Sequence, residues 1–178
     1  MKKVLFVVFL FLILITCNGC KKKEEVLTPS TIITNQTVNY LKFFIPDDFE
    51  YLPENRGMLY TENDRKIFSK KLSEDDNDKI YIDIVTSYLP KSITKYITEL
   101  NNSLEEDDIK YVEKTNVKGL TIYAREKFIT TSNELEYINY VYIINIDGYN
   151  HVVSVNGLNS SSQEIEKIVS QLFESFEK

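Results

Sequence analysis

The segment Leu135–Ile146, LEYINYVYIINI, decides the fold, and Asp147-Gly148 follows it directly. Alternate residues along this segment form two faces, and both are rich in apolar and aromatic side chains. A strand of this kind is typically covered on both sides, so we expect it to lie in the interior of a β-sheet. Asp-Gly is a strong signal for a tight hairpin turn, and His151–Val155 supplies the returning strand.

Two amphipathic helices are predicted, one before this hairpin in the sequence and one after it. The C-terminal helix is predicted from apolar residues spaced three or four apart or adjacent on one face: Ile165, Ile168, Val169, Leu172, Phe173 and Phe176. Ser161 is its predicted N-cap, because Glu164 three residues later would complete a capping box. Ser92 is well placed to cap the first helix, which carries one narrow apolar stripe: Ile93, Tyr96, Ile97, Leu100 and Leu104.

The remaining strands are predicted from alternating or aromatic-rich segments bounded by turn residues. They are Val38–Ile45, Gly57–Thr61, Lys66–Leu72, Lys79–Val85, Ile109–Val117 and Gly119–Thr131. Adjacent strands joined by short turns pair antiparallel, and one-sided helices need a sheet to cover. The sequence therefore predicts an α+β fold, with an antiparallel β-sheet packed by two amphipathic helices.

The N-terminus has the pattern of a secretory signal peptide. Lys2 and Lys3 precede the unbroken apolar run from Val4 to Ile15. This run has about 12 residues, whereas a helix needs about 20 to span the hydrocarbon core of a membrane. We therefore predict a cleaved signal peptide at residues 1–19, and an uncleaved membrane anchor is the alternative.

The end of the apolar run specifies the type of signal peptide. Gly19 directly before Cys20 resembles the lipobox of bacterial lipoproteins, which are cut before a cysteine whose thiol is diacylated. The resemblance implies lipidation of Cys20, and two acyl chains would give a stable membrane anchor. Cys17 is the alternative lipidated residue, because Leu14 lies three residues before it.

The chain thus divides into three predicted regions. Residues 1–19 are the predicted signal peptide, 20–37 the lipidated cysteine with a flexible tether, and 38–178 a single α+β domain. Cleavage before Cys20 leaves one cysteine, which lipidation consumes, so no disulfide is expected. The chain has 21 basic and 27 acidic residues, a net charge of −6. An acidic domain repels phosphate backbones, so we expect no nucleic-acid partner.

The order of elements resembles the PsbP-like fold, including the DcrB and LpqN groups of bacterial lipoproteins. The similarity covers about Tyr40 to Phe176. It is carried by the opening segment FFIPDDF at 43–49, by Gly119 to Ala124 before the aromatic hairpin, and by a final helix that ends near Ser175. The resemblance implies an α/β/α sandwich and a role as an assembly factor, protein-binding module or envelope lipoprotein. It provides no catalytic residue to carry over.

Catalytic chemistry finds little support in the residues. His151 is the only histidine, and a Ser-His-Asp arrangement would need Ser154 and Asp147 beside it. The simpler interpretation is a hydrogen-bonded or exposed strand histidine, since no nucleophile elbow or glycine-rich oxyanion turn is present. Glu134 and Glu136 would share one strand face, a spacing that acid–base chemistry could use. Solvent-exposed glutamates beside a turn are the commoner case.

We expect neither a metal nor a cofactor. Asp76-Asn77-Asp78 begins like a calcium-binding loop, but Ile80 occupies the position of the next ligand. The glycine and the terminal glutamate of such a loop are missing too. One histidine without cysteine does not make a zinc site.

The chain contains 12 tyrosines, and several surround one hairpin. Tyr137, Tyr140, Tyr142 and Tyr149 are candidate contacts for a ligand or partner, because tyrosine offers contact area with a polar tip. They could instead fill the two faces of the interior strand.

These features predict a lipid-anchored protein of the bacterial cell envelope, with its domain exported from the cytoplasm. We expect a non-catalytic interaction or assembly module, whose partners are the membrane, through Cys20, and another envelope protein. The alternative is a lipoprotein that binds a small ligand, either a glycan or an ion.

Overall fold

The computed structural model describes residues 33–52, 64–75, 77–89 and 91–178. The predicted signal peptide, Cys17, Cys20 and the predicted strand Gly57–Thr61 lie outside these ranges. Within them, neither helix has both the length and the hydrophobicity needed to cross a lipid bilayer.

The described residues form nine strands, two α-helices and one 3₁₀ turn. The strands are β1 (Ile33–Val38), β2 (Leu41–Pro46), β3 (Glu50–Leu52), β4 (Arg65–Lys71), β5 (Lys79–Tyr88), β6 (Val112–Thr115), β7 (Thr121–Ser132), β8 (Leu135–Ile146) and β9 (Tyr149–Leu158). The helices are α1 (Ile93–Ser103) and α2 (Ser162–Ser175), and the 3₁₀ turn at Asn159–Ser161 leads into α2.

Seven strands form one sheet in the order β3-β4-β5-β9-β8-β7-β6, and every neighbouring pair is antiparallel. The first two strands form a separate antiparallel hairpin. The prediction of an α+β fold built on an antiparallel sheet is therefore confirmed.

The main core lies between one face of the sheet and α2, with the β1–β2 hairpin beside the helix. Alternate residues of β5, β8 and β9 point into it. The helix contributes Ile165, Ile168, Val169 and Leu172. The hairpin contributes Val38, Leu41, Phe43 and Ile45. Each such side chain stabilises the fold by roughly 1.5–3 kcal/mol when fully buried.

The chain end is joined to the hairpin by main-chain contacts. Lys42 and Glu177 exchange two backbone hydrogen bonds, of 2.8 and 3.0 Å. The Phe44 amide donates to Ser175 Oγ over 3.1 Å. Buried Asn116, between β6 and β7, donates to the carbonyl oxygens of Phe173 and Phe176 at the end of α2. These bonds fix the position of α2 over the sheet.

The strand β8 has the predicted bounds and turn, and β9 extends beyond the predicted His151–Val155 at both ends. Asp147 and Gly148 have φ angles of 51° and 86°, as a type I′ turn requires. The strand β9 is central in the sheet and β8 is its neighbour. On the second face of β8, Ile143 is buried, whereas Tyr137 and the other outward residues are only half-buried. The second face of β8 is therefore fully buried only at Ile143.

Two local expectations were wrong. Ile33–Val38 forms a strand within the segment that was predicted to be a flexible tether, because the polar residues ITNQTV pair with β2 along their whole length. Ser161 is the N-cap of α2, but its side chain makes no capping bond. It donates instead to Asp78 Oδ1 over 3.1 Å, and Glu164 pairs with Lys70 at 2.8 Å. Partners distant in sequence, one in β4 and one in the loop after it, thus replace the local capping box.

Candidate functional site: a polar cleft between the sheet and the C-terminal helix

A cleft of about 290 Å³ lies between α2 and the strands β6, β7 and β8. Its polar lining comes from Lys114, Glu126, Lys127, Tyr140, Tyr142, Glu166 and Ser170. Val169 and Phe173 of α2 provide apolar contact area. Four separate elements therefore contribute to one small concave surface.

A β-bulge at Lys127 shapes the strand side of this cleft. Glu126 pairs with Tyr140 of β8, the next pairing joins Phe128 to Asn139, and Lys127 is the extra residue between them. Its φ angle of 58° lies in the left-handed region, a conformation that costs energy and is common beside functional sites. The bulge turns Phe128 onto the other face, where the Arg125 guanidinium carbon lies 4.1 Å from its ring centroid.

Tyr142 and Glu126 form a bonded pair in the cleft. The Tyr142 hydroxyl donates to Glu126 Oε1 over 2.8 Å, and Lys114 forms an ion pair with Glu126 Oε2. Burial raises the pKa of Tyr142, and the hydrogen bond to Glu126 raises it further. The Tyr142 hydroxyl therefore stays protonated at neutral pH and donates its hydrogen bond to Glu126.

Tyr140 differs from Tyr142 in having no committed acceptor. Its side chain is 2% exposed, and its hydroxyl makes no hydrogen bond of normal geometry to any described residue. Burial raises the pKa of Tyr140 to about 12, with smaller contributions from the charges of Glu166 and Glu126 and from the Glu166 carboxylate as a poorly aligned hydrogen-bond acceptor. Glu166 is itself paired with Lys127 at 3.0 Å. The Tyr140 hydroxyl is therefore a buried, protonated donor beside a carboxylate that also pairs with Lys127.

The four predicted tyrosine contacts do not form one cluster. Tyr140 and Tyr142 lie two residues apart on the cleft side of β8. Strand alternation places Tyr137 on the opposite face. Tyr149 lies at the β8–β9 turn, where its ring centroid is 5.6 Å from that of Tyr40 and 5.9 Å from that of Tyr88.

His151 is a core residue. It is completely buried, and its Nδ1 lies 2.8 Å from Thr86 Oγ1. Burial lowers the pKa of His151 to about 4, so the ring is neutral at pH 7. Ser154 lies on the opposite face of β9, and Asp147 pairs with Lys178 at 2.7 Å. The structure therefore separates the three residues that a Ser-His-Asp arrangement would require.

The other candidate acidic groups are also dispersed. Glu134 lies in the β7–β8 turn with φ of 64°, and Glu136 accepts a hydrogen bond from Asn159. Asp78 accepts from Ser161, whereas Asp76 lies outside the described residues. Within the described part of the chain, no group of three or more histidine, cysteine or acidic residues is placed to hold a metal ion.

Sequence reasoning missed Lys114, Glu126, Lys127 and Glu166. One signal was available for Glu126, which follows Ile122 and Ala124 at the inward phase of β7. A charged residue at an inward position of a strand indicates a buried pairing or a site. No comparable signal exists for the other three, because their convergence depends on how α2 crosses the sheet.

Comparison with known proteins identifies the fold. The domain is similar to LpqN of Mycobacterium tuberculosis, a protein involved in cell envelope biogenesis, with a TM-score of 0.55 and 13% identity over 82% of this chain and 89% of that one. It is also similar to cyanobacterial PsbP (CyanoP) from Synechocystis, with a TM-score of 0.56 and 12% identity over 82% and 91% of the two chains. The predicted PsbP-like fold is thereby confirmed. No family model and no curated protein matches the sequence.

Proposed function

We propose that this chain is a lipid-anchored protein of the bacterial cell envelope, whose domain acts by binding another envelope protein. The similarity of the domain to LpqN, an envelope-biogenesis protein, supports the location. The Gly19-Cys20 sequence after a short apolar run supports the anchor. Acyl chains on Cys20 would hold the domain at a membrane surface without a spanning helix.

An aromatic patch formed by Tyr40, Tyr88 and Tyr149 carries the proposal of a protein partner. Tyr40 is 52% exposed and Tyr88 is 68% exposed, and both rings contact Tyr149. Clustered tyrosines are typical of interface hot spots, because each ring offers a large contact area at low entropic cost. The patch comes from three separate turns or strand ends, so the fold holds its rings together before any partner binds.

A binding role also fits the state of His151. Its Nδ1 is used by Thr86, and its lowered pKa keeps the ring neutral inside the core. A general base is most effective when it contacts the reacting group and its pKa lies near the working pH. The buried His151 meets neither condition, so we assign it a structural role.

The anchor is tested by labelling cells with a fatty-acid analogue and isolating the membrane fraction. We expect the wild type and Cys17→Ser to carry the label and to sediment with membranes. Cys20→Ser should do neither. Loss of label in Cys17→Ser alone would move the lipidation site to Cys17, and an unlabelled wild type would refute the anchor.

The partner is tested by crosslinking intact cells and capturing the full chain. We expect one envelope protein to be recovered reproducibly with the wild type and lost with the double variant Tyr40→Ser/Tyr88→Ser. Ile129→Ser is the matched control, because Ile129 is 46% exposed and pairs with Ile138 at the opposite end of β8 from the patch. Equal recovery by the double variant and the control would refute the role of the patch.

A further inference from the structure

We propose that the aromatic patch of Tyr40, Tyr88 and Tyr149 binds a proline-rich segment of the partner protein in the polyproline II conformation. This inference rests on the proposed function and names the chemistry of the partner. The rings are inclined to one another rather than stacked. The Tyr40 and Tyr149 rings meet at 49° with centroids 5.6 Å apart, and the Tyr88 and Tyr149 rings at 70° with centroids 5.9 Å apart. Inclined rings leave steps between them, and proline-rich segments typically bind against surfaces lined by aromatic rings.

The spacing of the rings matches this conformation. Polyproline II has three residues per turn, so two prolines three positions apart lie on one face, about 9 Å from each other. This advance fits within the two centroid distances that join Tyr40 to Tyr88 through Tyr149. One proline can therefore contact each of the two exposed rings, with Tyr149 between them.

Hydrogen bonding and charge favour the same ligand. In the described part of the chain, none of the three patch hydroxyls bonds to another residue, so each can donate to a ligand. A proline-rich segment offers carbonyl oxygens that have no internal partner, and its prolines have no N–H group. The neighbouring charge of Asp147 is paired with Lys178 at 2.7 Å. An uncharged ligand that accepts hydrogen bonds is therefore complementary to the patch.

An added β-strand fits the patch less well, because the main chain beneath the rings is already hydrogen-bonded. Tyr88 pairs with Tyr149 where β5 lies beside β9, and the Leu89 amide donates to the Gly148 carbonyl oxygen over 2.9 Å. Contact with a partner must therefore come mainly from side chains, which is how aromatic surfaces recognise polyproline II segments.

The experiment is a calorimetric titration of the full-length chain, purified in a detergent without a sugar headgroup. Decaproline with blocked ends is the probe, and a flexible glycine–serine peptide of the same length is the control. We expect saturable binding of decaproline alone, with a Kd on the order of 0.1 mM. Chitobiose is titrated as well, because tyrosine rings can also bind sugars. Tighter binding of chitobiose than of decaproline would overturn the proposal, as would equal binding of the two peptides.

Tyr88→Ser is the decisive variant, because Tyr88 is 68% exposed and its ring can be removed without opening the core. We expect its affinity for decaproline to fall at least about tenfold, as for an interface hot spot. Tyr88→Phe keeps the ring and should show a smaller fall. Ile129→Ser is the matched control and should bind as the wild type does. Equal affinity of Tyr88→Ser and Ile129→Ser would overturn the proposal.

The failure of this inference can be told apart from the failure of the proposed function. Suppose that cells yield a partner that the Tyr40→Ser/Tyr88→Ser variant loses, while decaproline does not bind. The role of the patch would then stand, and the proline-rich character of the partner would be refuted. Binding of decaproline without any partner recovered from cells would instead refute the proposed function and support the ligand chemistry of the patch.

Discussion

His151 predicts a specific loss of stability in mild acid. The imidazole is completely buried, and burial lowers its pKa from 6.5 to about 4 in the folded protein. Between these two values the unfolded chain binds a proton that the folded chain does not bind. The contribution of the neutral His151 to the free energy of unfolding is therefore fully present above pH 6.5, and it is lost as the pH falls towards 4.

The magnitude follows from the size of the shift. Lowering the pKa of His151 from 6.5 to about 4 is worth about 3 kcal/mol in total. About 2 kcal/mol of this is lost between pH 7 and pH 5, where the unfolded histidine becomes charged and the folded one does not. Carboxylates also titrate in acid, so the histidine contribution must be isolated by a variant.

The assay is urea unfolding at several pH values, compared between the wild type and His151→Gln. Glutamine does not ionise, so the variant should lose about 2 kcal/mol less than the wild type over the same pH interval. The comparison uses only the slope with pH, so a lower starting stability of the variant does not affect it. His151 is the only histidine, so its imidazole NMR signal gives an independent titration. Equal slopes, or a signal that titrates near pH 6.5 in the folded protein, would refute the reasoning.

Three further predictions concern packing and hydrogen bonds, and thermal melts test each of them. Tyr142→Phe should cost about 1–2 kcal/mol, because it removes a charge-assisted bond to Glu126. Tyr140→Phe should cost less, because its hydroxyl makes no hydrogen bond of normal geometry; equal losses would contradict this contrast. Asn116→Asp should cost at least about 2 kcal/mol, because a carboxylate would face two carbonyl oxygens at the end of α2. Asn116→Ala is the comparison, and a larger loss in Asn116→Asp than in Asn116→Ala would show the effect of the added charge. Gly157→Ala should cost about 1–3 kcal/mol, because the new Cβ would lie 3.1 Å from a backbone oxygen of β5. A melting temperature equal to that of the wild type would contradict this and would show that β5 and β9 can move apart.

The cleft also illustrates how a β-bulge creates a site. Without the extra residue, the alternation that places Ala124 and Glu126 inward would place Phe128 inward as well. The bulge at Lys127 changes the phase, so two charged side chains reach the cleft in succession. An aromatic ring that would otherwise occupy the cleft packs against Arg125 on the other face.

Elements with local sequence signals could be predicted before the structure was known. The bounds of β8, the turn at Asp147-Gly148 and the apolar stripe of α2 were all predictable, because alternation, turn chemistry and helical periodicity act over a few neighbouring residues. The antiparallel sheet followed from short connections between strands. The polar strand β1 was missed, because its pairing with β2 leaves no apolar pattern to read.

The contacts between side chains from different elements could not be predicted from the sequence. Ser161 and Glu164 form a capping pattern in the sequence, yet they bind Asp78 and Lys70 from distant segments. Glu166 reaches the cleft because α2 lies over the sheet at that point, and Lys127 because one strand contains an extra residue. Neither event is encoded within a short window of sequence. Long-range packing sets the register and the crossing of elements, and these determine the site.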